Sequence, residues 1–93
     1  MTQQSLPRNA ISRIVAQCGG SDIRIFGSVA RGDATEASDL DLLIKLEPGR
    51  SLLQLVAMKQ DLEDELGRSV DIVTENGISP FMRNSIFAEA VPL

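Results

Sequence analysis

IRIFGSVARGDATEASDLDLLI, residues 23–44, is the segment on which the predicted fold depends. It begins with a short apolar run at 23–26, whose β-branched and aromatic residues favour a strand. Gly27 and Ser28 interrupt this run. Glycine permits a positive φ and the close approach of a phosphate or another backbone, and serine can cap a helix. A short helix is expected next, followed by a second strand at 39–44.

The second strand carries two aspartates on one face. Because side chains alternate along a strand, Asp39 and Asp41 should point to one side, and Leu40 and Leu42 to the other. The aspartate Cα atoms would lie roughly 6.5–7 Å apart, a separation that one or two divalent cations can bridge. Neighbouring carboxylates repel unless a cation or protons neutralise them. A solvated edge strand also carries charges, and Gly-Ser is common in turns, but the two features together favour a metal site.

The rest of the chain predicts further helices and strands in alternation. In chain order we expect a first helix with Ser5 as its N-cap and Gly19-Gly20 as its end, followed by strands at 23–26 and 39–44 around a helix at 29–31. A helix from Ser51 to Leu66, a strand at 69–74 and a final helix capped by Ser79 complete the chain. This alternation indicates one α/β domain over residues 1–93. The third strand should place Val70 and Ile72 on one face, and Asp71 and Val73 on the other.

The helix that begins at Ser51 is predicted to bury one apolar side. The residues assigned to that side are Leu52, Leu55, Val56, Leu62 and Leu66. Ser51 with Gln54 is a capping-box pair, and Gly67 suits the left-handed residue that ends a helix. The acidic run at 61–65 is expected to be a solvated face, and it is a poor second candidate for a metal site.

Composition limits the classes of function. The chain has 93 residues, a net charge of −4 and a pI near 4.6, which argues against nucleic acid as a direct partner. The absence of histidine removes His-based catalysis and the usual zinc ligands. The single cysteine, Cys18, excludes an internal disulfide and is expected to fill the core. Without a secretion signal or an apolar run of membrane-spanning length, we expect a cytoplasmic protein that has no membrane partner.

The spacing between the glycine turn and the aspartates resembles a known signature. Gly27-Ser28, ten intervening residues and Asp39-Leu40-Asp41 are similar to the signature of the polymerase-β-like nucleotidyltransferase superfamily. The fuller text, GSVARGDATEASDLDLLI, resembles its minimal nucleotidyltransferase branch, the MntA-type antitoxins that pair with HEPN-domain toxins. The resemblance implies an α/β fold of the α+β type, with a mixed β-sheet of three to four strands covered by helices.

The resemblance also implies roles for the residues of this signature. Asp39 and Asp41 would hold Mg²⁺, with two ions expected, because hard cations need oxygen ligands. Gly27 and Ser28 would bind the terminal phosphates of the substrate ATP through a bare backbone and a hydroxyl group. Arg31, on the short helix, could reach the triphosphate and offset its charge, and the alternative is that it is a surface arginine.

A third carboxylate is expected from the third strand. If that strand lies beside the second strand, Asp71 points to the same face as Asp39 and Asp41. In the superfamily that the chain resembles, the residue at this position binds the catalytic metal and helps to deprotonate the acceptor hydroxyl. Asp71 could instead be an acid on an edge strand, in which case Glu75 or another acid would fill the role.

The acceptor is expected on another polypeptide, because the chain has no tryptophan or tyrosine for stacking and no second domain to hold an acceptor. The resemblance implies that this acceptor is a HEPN ribonuclease toxin, which is inactivated by adenylylation of a tyrosine.

The final helix has more bulky apolar residues than one buried stripe needs: Phe81, Met82, Ile86 and Phe87. We therefore expect it to serve in self-association or toxin docking, within a homo-oligomer or hetero-oligomer. Two alternatives stay open, namely transfer to a small molecule such as an antibiotic and a non-catalytic module that neutralises a toxin by contact.

Overall fold

Helices and strands alternate along the part of the chain that the computed structural model describes, residues 6–35 and 37–93. The helices are α1 (Arg8–Gln17), α2 (Gly27–Arg31), α3 (Leu52–Leu66) and α4 (Pro80–Glu89), and a short 3₁₀ helix covers Glu75–Gly77. The strands are β1 (Gly20–Phe26), β2 (Leu40–Leu46), β3 (Val70–Thr74) and β4 (Val91–Pro92). No helix within these ranges is long and apolar enough to cross a membrane. The cap predicted at Ser5 lies outside the described residues.

The strands form one mixed sheet in the order β3-β2-β1-β4. Strand β2 pairs antiparallel with β1 and parallel with β3, and β1 pairs antiparallel with β4. A parallel pair needs a crossover connection, which α3 supplies between β2 and β3. The α/β fold and the mixed sheet of three to four strands are therefore confirmed.

Strand β4 is the element that the sequence pattern does not predict. Its two residues pair with Arg24 and Ile25 of β1, and the N–H of Leu93 donates to the carbonyl of Ile23 at 3.0 Å. Pro92 is tolerated because β4 is an edge strand, where the lack of an N–H breaks no internal ladder. A two-residue strand has no alternating pattern to recognise, so its presence depends on the folded position of α4.

Strand β2 is buried on both faces by different partners. Its residues in the main core, beneath α1 and α3, are Leu40, Leu42 and Ile44. On the opposite face, Leu43 packs in a smaller cluster with Ile78 and Ile86. Asp41 alternates with the leucines of the main core, as predicted, and so shares the second face with Leu43.

The predicted buried side of α3 is wrong at two positions. Leu52 and Val56 are 76% and 62% exposed. The side that packs on the core instead contains Leu55, Met58, Leu62 and Leu66. These residues follow one another at steps of three or four, whereas Val56 lies about 100° around the helix from Leu55. Leu52 is in phase with that stripe, but it lies in the first turn of the helix and its side chain stays exposed.

The helix ends follow the predicted capping pattern. The side-chain oxygen of Gln54 accepts the N–H of Ser51 at 3.0 Å, and Gly67 ends α3 with a positive φ of 66°. At the start of α4, Ser79 Oγ accepts the N–H of Phe81 at 3.3 Å. These local signals therefore place both ends of α3 and the start of α4 correctly.

The start of β3 is anchored by two side chains of α3. The Glu63 carboxylate accepts the Val70 N–H at 2.9 Å and the Lys59 ammonium at 3.0 Å, and Lys59 also donates to the Val70 carbonyl at 2.6 Å. The backbone hydrogen bond from Val70, followed by the hydrogen bond from Lys59, lowers the pKa of Glu63. The expectation that the whole run 61–65 is a solvated face is therefore wrong at Glu63, although its other acids are exposed.

Candidate functional site

An open cavity of about 540 Å³ lies beside α2, β2, β3 and α4. All six of the predicted site residues line it: Gly27, Ser28, Arg31, Asp39, Asp41 and Asp71. The topology explains why they meet, because α2 follows β1 directly, and β1 and β3 are the two neighbours of β2. Helix α4 covers another side with residues that the sequence motifs did not indicate, namely Met82, Ser85, Ile86 and Glu89.

Asp41 and Asp71 stand opposite each other on the parallel strands β2 and β3. Paired strands lie about 4.8 Å apart, so equivalent residues at the same register point from one face of the sheet. The predicted placement of Asp71 beside the second strand is confirmed. Its proposed role as a metal ligand and base stays a prediction.

The Asp41 carboxyl lies in an environment that disfavours its negative charge. Burial raises its pKa most, followed by the negative charges of Asp71 and Asp39 and a hydrogen bond shared with Asp71. The Glu89 carboxylate adds a smaller effect in the same direction. A proton or a cation would relieve this unfavourable interaction, as the sequence reasoning required.

Asp39 lies directly before β2 and lines the same cavity, but it is exposed, as is Asp71. Within ranges 6–35 and 37–93, no three acidic, cysteine or histidine side chains are arranged to hold a metal ion as they stand. The donors nevertheless fit Mg²⁺ in chemical type, because all three are carboxylates and Asp41 is in surroundings that favour a cation. The assignment of Asp39, Asp41 and Asp71 as metal ligands stays a prediction.

Gly27 occupies a position that only glycine fits. Its φ is +75°, and a Cβ atom added there would collide with the Asp41 carboxylate. Gly27 is also the first residue of α2, with Phe26 at the N-cap position. The predicted capping role of Ser28 is therefore wrong, because Ser28 lies inside the first turn of the helix and leaves its hydroxyl group for the cavity.

Glu89 is the charged residue of the site that sequence reasoning missed. Its carboxylate accepts the Gly27 N–H at 2.7 Å and the Arg31 guanidinium at 3.1 Å. These contacts, the backbone one first, lower the pKa of Glu89. Arg31 also contacts Asp33 at 3.4 Å. No local pattern could have revealed Glu89, because its partners are 62 and 58 residues away along the chain.

Comparison with known protein families identifies the family to which this fold belongs. The family model of the nucleotidyltransferase domain matches residues 8–93 of this chain. The chain belongs to this nucleotidyltransferase family. Its strand–glycine turn–helix unit and its Asp-x-Asp strand lie inside the matched range.

Relatives of this nucleotidyltransferase include proteins named as adenylyltransferases. A provisionally named protein adenylyltransferase of Methanocaldococcus jannaschii is 42% identical over 84 residues, which is 90% of each chain. The protein adenylyltransferase MntA of Thermococcus cleftensis is 36% identical over 78% of this chain and 74% of its own. A solved structure provisionally named a minimal nucleotidyltransferase is 49% identical, has a TM-score of 0.82 and covers 92% of this chain and 88% of its own. The resemblance to minimal nucleotidyltransferases is thus confirmed.

Proposed function

We propose that this nucleotidyltransferase moves AMP from ATP to a hydroxyl group of a partner protein, a tyrosine of a HEPN toxin, and so acts as an antitoxin. The observation that carries the proposal is the convergence of Asp39, Asp41 and Asp71 with the Gly27-Ser28 turn in one cavity. The protein adenylyltransferase names of two relatives support a protein acceptor.

Each site residue has a role in this proposal. The three aspartates would hold Mg²⁺, which when bound would offset the charge of the triphosphate. The Ser28 hydroxyl would donate to a terminal phosphate, and Arg31 would offset its charge. Asp71 would accept the proton of the acceptor hydroxyl group. The oxygen of that hydroxyl group would at the same time form a bond to the α-phosphorus of ATP. The bond between the α-phosphorus and the oxygen that joins it to the β-phosphate would break, and pyrophosphate would leave.

The acceptor protein would approach along the first turn of α4. Phe81 is 96% exposed and Met82 is 56% exposed, and Met82 also lines the cavity. An apolar surface that continues into the cavity suits a protein acceptor better than a small polar one. The chain contains no tyrosine, so a tyrosine acceptor would have to lie on another chain. The sequence-based expectation of a cytoplasmic protein is part of this proposal.

A more distant structural neighbour is consistent with the antitoxin role. A solved toxin–antitoxin structure with AMP-PNP has a TM-score of 0.82, covers 94% of this chain and 72% of its own, and is 20% identical. At that identity the likeness concerns the fold. The nucleotide and the toxin belong to that structure and indicate what to test here.

The test is to incubate the protein with labelled ATP, Mg²⁺ and the product of the neighbouring gene. We expect AMP on a tyrosine of that product, measured as added mass, together with loss of its ribonuclease activity. Asp41→Asn should abolish the labelling, and Glu65→Gln, which removes an exposed acid of α3, should not change it.

A contact-only module is the second candidate, and the exposed Phe81 and Met82 favour it as a docking surface. Toxin neutralisation that survives in Asp39→Asn/Asp41→Asn protein, with no mass added to the toxin, would select that candidate. Neutralisation lost in this variant but kept in Phe81→Ser would leave transfer as the function and contradict docking through α4.

A further inference from the structure

Glu89, the last residue of α4, binds both ends of α2. One carboxylate oxygen accepts the N–H of Gly27, and the other accepts an N–H of Arg31. Gly27 and Arg31 are the first and last residues of α2. A single side chain from a distant helix therefore holds the whole five-residue unit that follows β1.

The glycine turn is confined from two sides. Glu89 holds the N–H of Gly27, and the Asp41 carboxylate stands where a side chain of Gly27 would project. Together these contacts set the distance between the turn and the aspartates. A turn held in its binding conformation before the ligand arrives loses less conformational freedom on binding.

Glu89 also orients the Arg31 side chain. The other contact of Arg31, to Asp33, is long at 3.4 Å and joins two side chains that are 51% and 62% exposed, so it orients the guanidinium weakly. The Glu89 side chain is 32% exposed, and its bond to Arg31 uses one of the five guanidinium N–H donors. Without Glu89, the negative charges of Asp39 and Asp41 in the same cavity would attract the guanidinium.

We propose that Glu89 is a positioning residue for nucleotide binding, which fixes the Gly27 turn and directs Arg31 toward the triphosphate. This inference rests on the proposed function for the identity of the ligand. It goes beyond that function by assigning a role to a residue outside the signature. It also makes the nucleotide site depend on the position of α4.

The opposite role for Glu89 would be to compete with the phosphates of ATP for the N–H donors of Gly27 and Arg31. Glu89 is an acid in a cavity that already contains three aspartates, and it occupies donors that a phosphate could use. A competitor would weaken ATP binding, and its removal would strengthen it. The two roles predict effects of opposite sign, so one measurement separates them.

The test compares three variants of the full chain. Glu89→Ala removes both contacts, and Glu89→Gln keeps an oxygen for the Gly27 N–H but loses the charge opposite Arg31. Glu47→Ala is the control, because Glu47 also pairs with an arginine, Arg50, at 3.3 Å and lies away from the cavity. Binding of AMP-PNP with Mg²⁺ is measured by calorimetry, and amide hydrogen exchange of Gly27 is measured by NMR.

We expect Glu89→Ala to weaken AMP-PNP binding about tenfold and Glu89→Gln about threefold, with no change in Glu47→Ala. In the transfer assay, KM for ATP should rise by similar factors while kcat changes little, since the lost contacts act on bound ATP and on the transition state alike. Exchange of the Gly27 amide should be at least about tenfold faster in Glu89→Ala and nearly unchanged in Glu89→Gln.

Equal or tighter AMP-PNP binding by folded Glu89→Ala would overturn the inference and leave the proposed function standing. Unchanged Gly27 exchange in Glu89→Ala would also overturn it, whatever the nucleotide data. If the parent binds no nucleotide, the proposed function fails and the positioning role fails with it, even where Gly27 exchange responds. If Glu89→Ala does not fold, the inference is judged on Glu89→Gln. Binding of AMP-PNP by Glu89→Gln that equals that of the parent would contradict a role for the Glu89 charge opposite Arg31.

Discussion

Glu63 and Glu89 make the same pair of contacts in two different parts of the molecule. Glu63 accepts the backbone N–H of Val70 and a lysine, and Glu89 accepts the backbone N–H of Gly27 and an arginine. The partners of Glu63 lie 4 and 7 residues away, whereas those of Glu89 lie 58 and 62 residues away. The first contact is a local anchor between a helix and the next strand. The second joins distant parts of the chain at the cavity.

The two glutamates hold opposite sides of the cavity. The Glu63 anchor holds the beginning of β3, where the next residue is Asp71, so it serves the side of the cavity proposed for the acceptor. The Glu89 contact holds the glycine turn, the side proposed for the phosphates. Substitutions on the β3 side should therefore lower the transfer rate, and substitutions on the side of the glycine turn should lower nucleotide affinity.

The largest effect is expected from Asp71, on the β3 side. Asp71→Asn should lower the transfer rate at saturating ATP by about 10²–10⁴-fold, because the residue proposed as both the base and a metal ligand is lost. AMP-PNP affinity should fall much less. Single-turnover transfer and calorimetry give the two values. Near-normal transfer would move the role to Glu75 or another acid.

The next effect is expected on the glycine side. Gly27→Val should weaken AMP-PNP binding by at least about tenfold, or about 1.4 kcal/mol, because its side chain meets the Asp41 carboxylate and disfavours the positive φ. Ser28→Ala, which keeps the backbone, should weaken binding less. Circular dichroism must show that the Gly27→Val protein is folded, and parent-like affinity in that folded protein would contradict the assignment.

A smaller effect is expected from Glu63, and it depends on pH. Because its pKa is lowered from 4.5 in the folded state, Glu63 stabilises the fold fully above about pH 4.5 and loses that contribution as the pH falls through the folded pKa. Glu63→Gln should therefore lower Tm at pH 7, and the gap to the parent should narrow below about pH 4.5. Glu65→Gln, on the exposed side of α3, is the control and should leave Tm unchanged. A gap that is the same at pH 7 and pH 3.5 would contradict the role of the charge.

The smallest effect is expected from Asp41 in the absence of metal. Its pKa is raised from 3.8, so the ionised carboxylate opposes folding, and this penalty grows as the pH rises from about 3.8 through the folded pKa. Asp41→Asn should raise Tm at pH 7 by about 2–5 °C without Mg²⁺ and should match the parent below pH 3.8. Added Mg²⁺ should raise Tm of the parent only. An equal Mg²⁺ response in Asp39→Asn/Asp41→Asn protein would place the metal elsewhere.

Signals confined to a few neighbouring residues predicted much of this structure. The alternation of Asp41 with the core leucines, the stop at Gly67 and the cap at Ser79 each depend on backbone geometry within one or two turns. The same local reasoning placed the glycine turn between a strand and a short helix. The approach of Asp71 to Asp41 was predicted only by assuming that the two strands are neighbours.

The remaining features depend on contacts that no local pattern contains. Glu89 reaches its partners across most of the chain, and β4 exists only because the end of α4 returns to β1. On α3, Leu52 and Val56 are as apolar as the residues that are buried. The way in which the helix packs on the sheet decides which of these apolar side chains are buried. Tertiary packing, rather than propensity, determined these outcomes.

The pairing of β4 with β1 has a consequence for how the protein is made. Segment 89–93 supplies Glu89, pairs with Ile25 next to the glycine turn, and accepts a hydrogen bond from Arg8 through the Leu93 carbonyl at 2.7 Å. During synthesis this segment leaves the ribosome after every other part of the cavity. A nascent chain can pair β1, β2 and β3 before its glycine turn is held in place. If Glu89 has the positioning role proposed above, full nucleotide affinity would be reached only after residues 89–93 have been synthesised, and a chain released before that point would bind nucleotide more weakly.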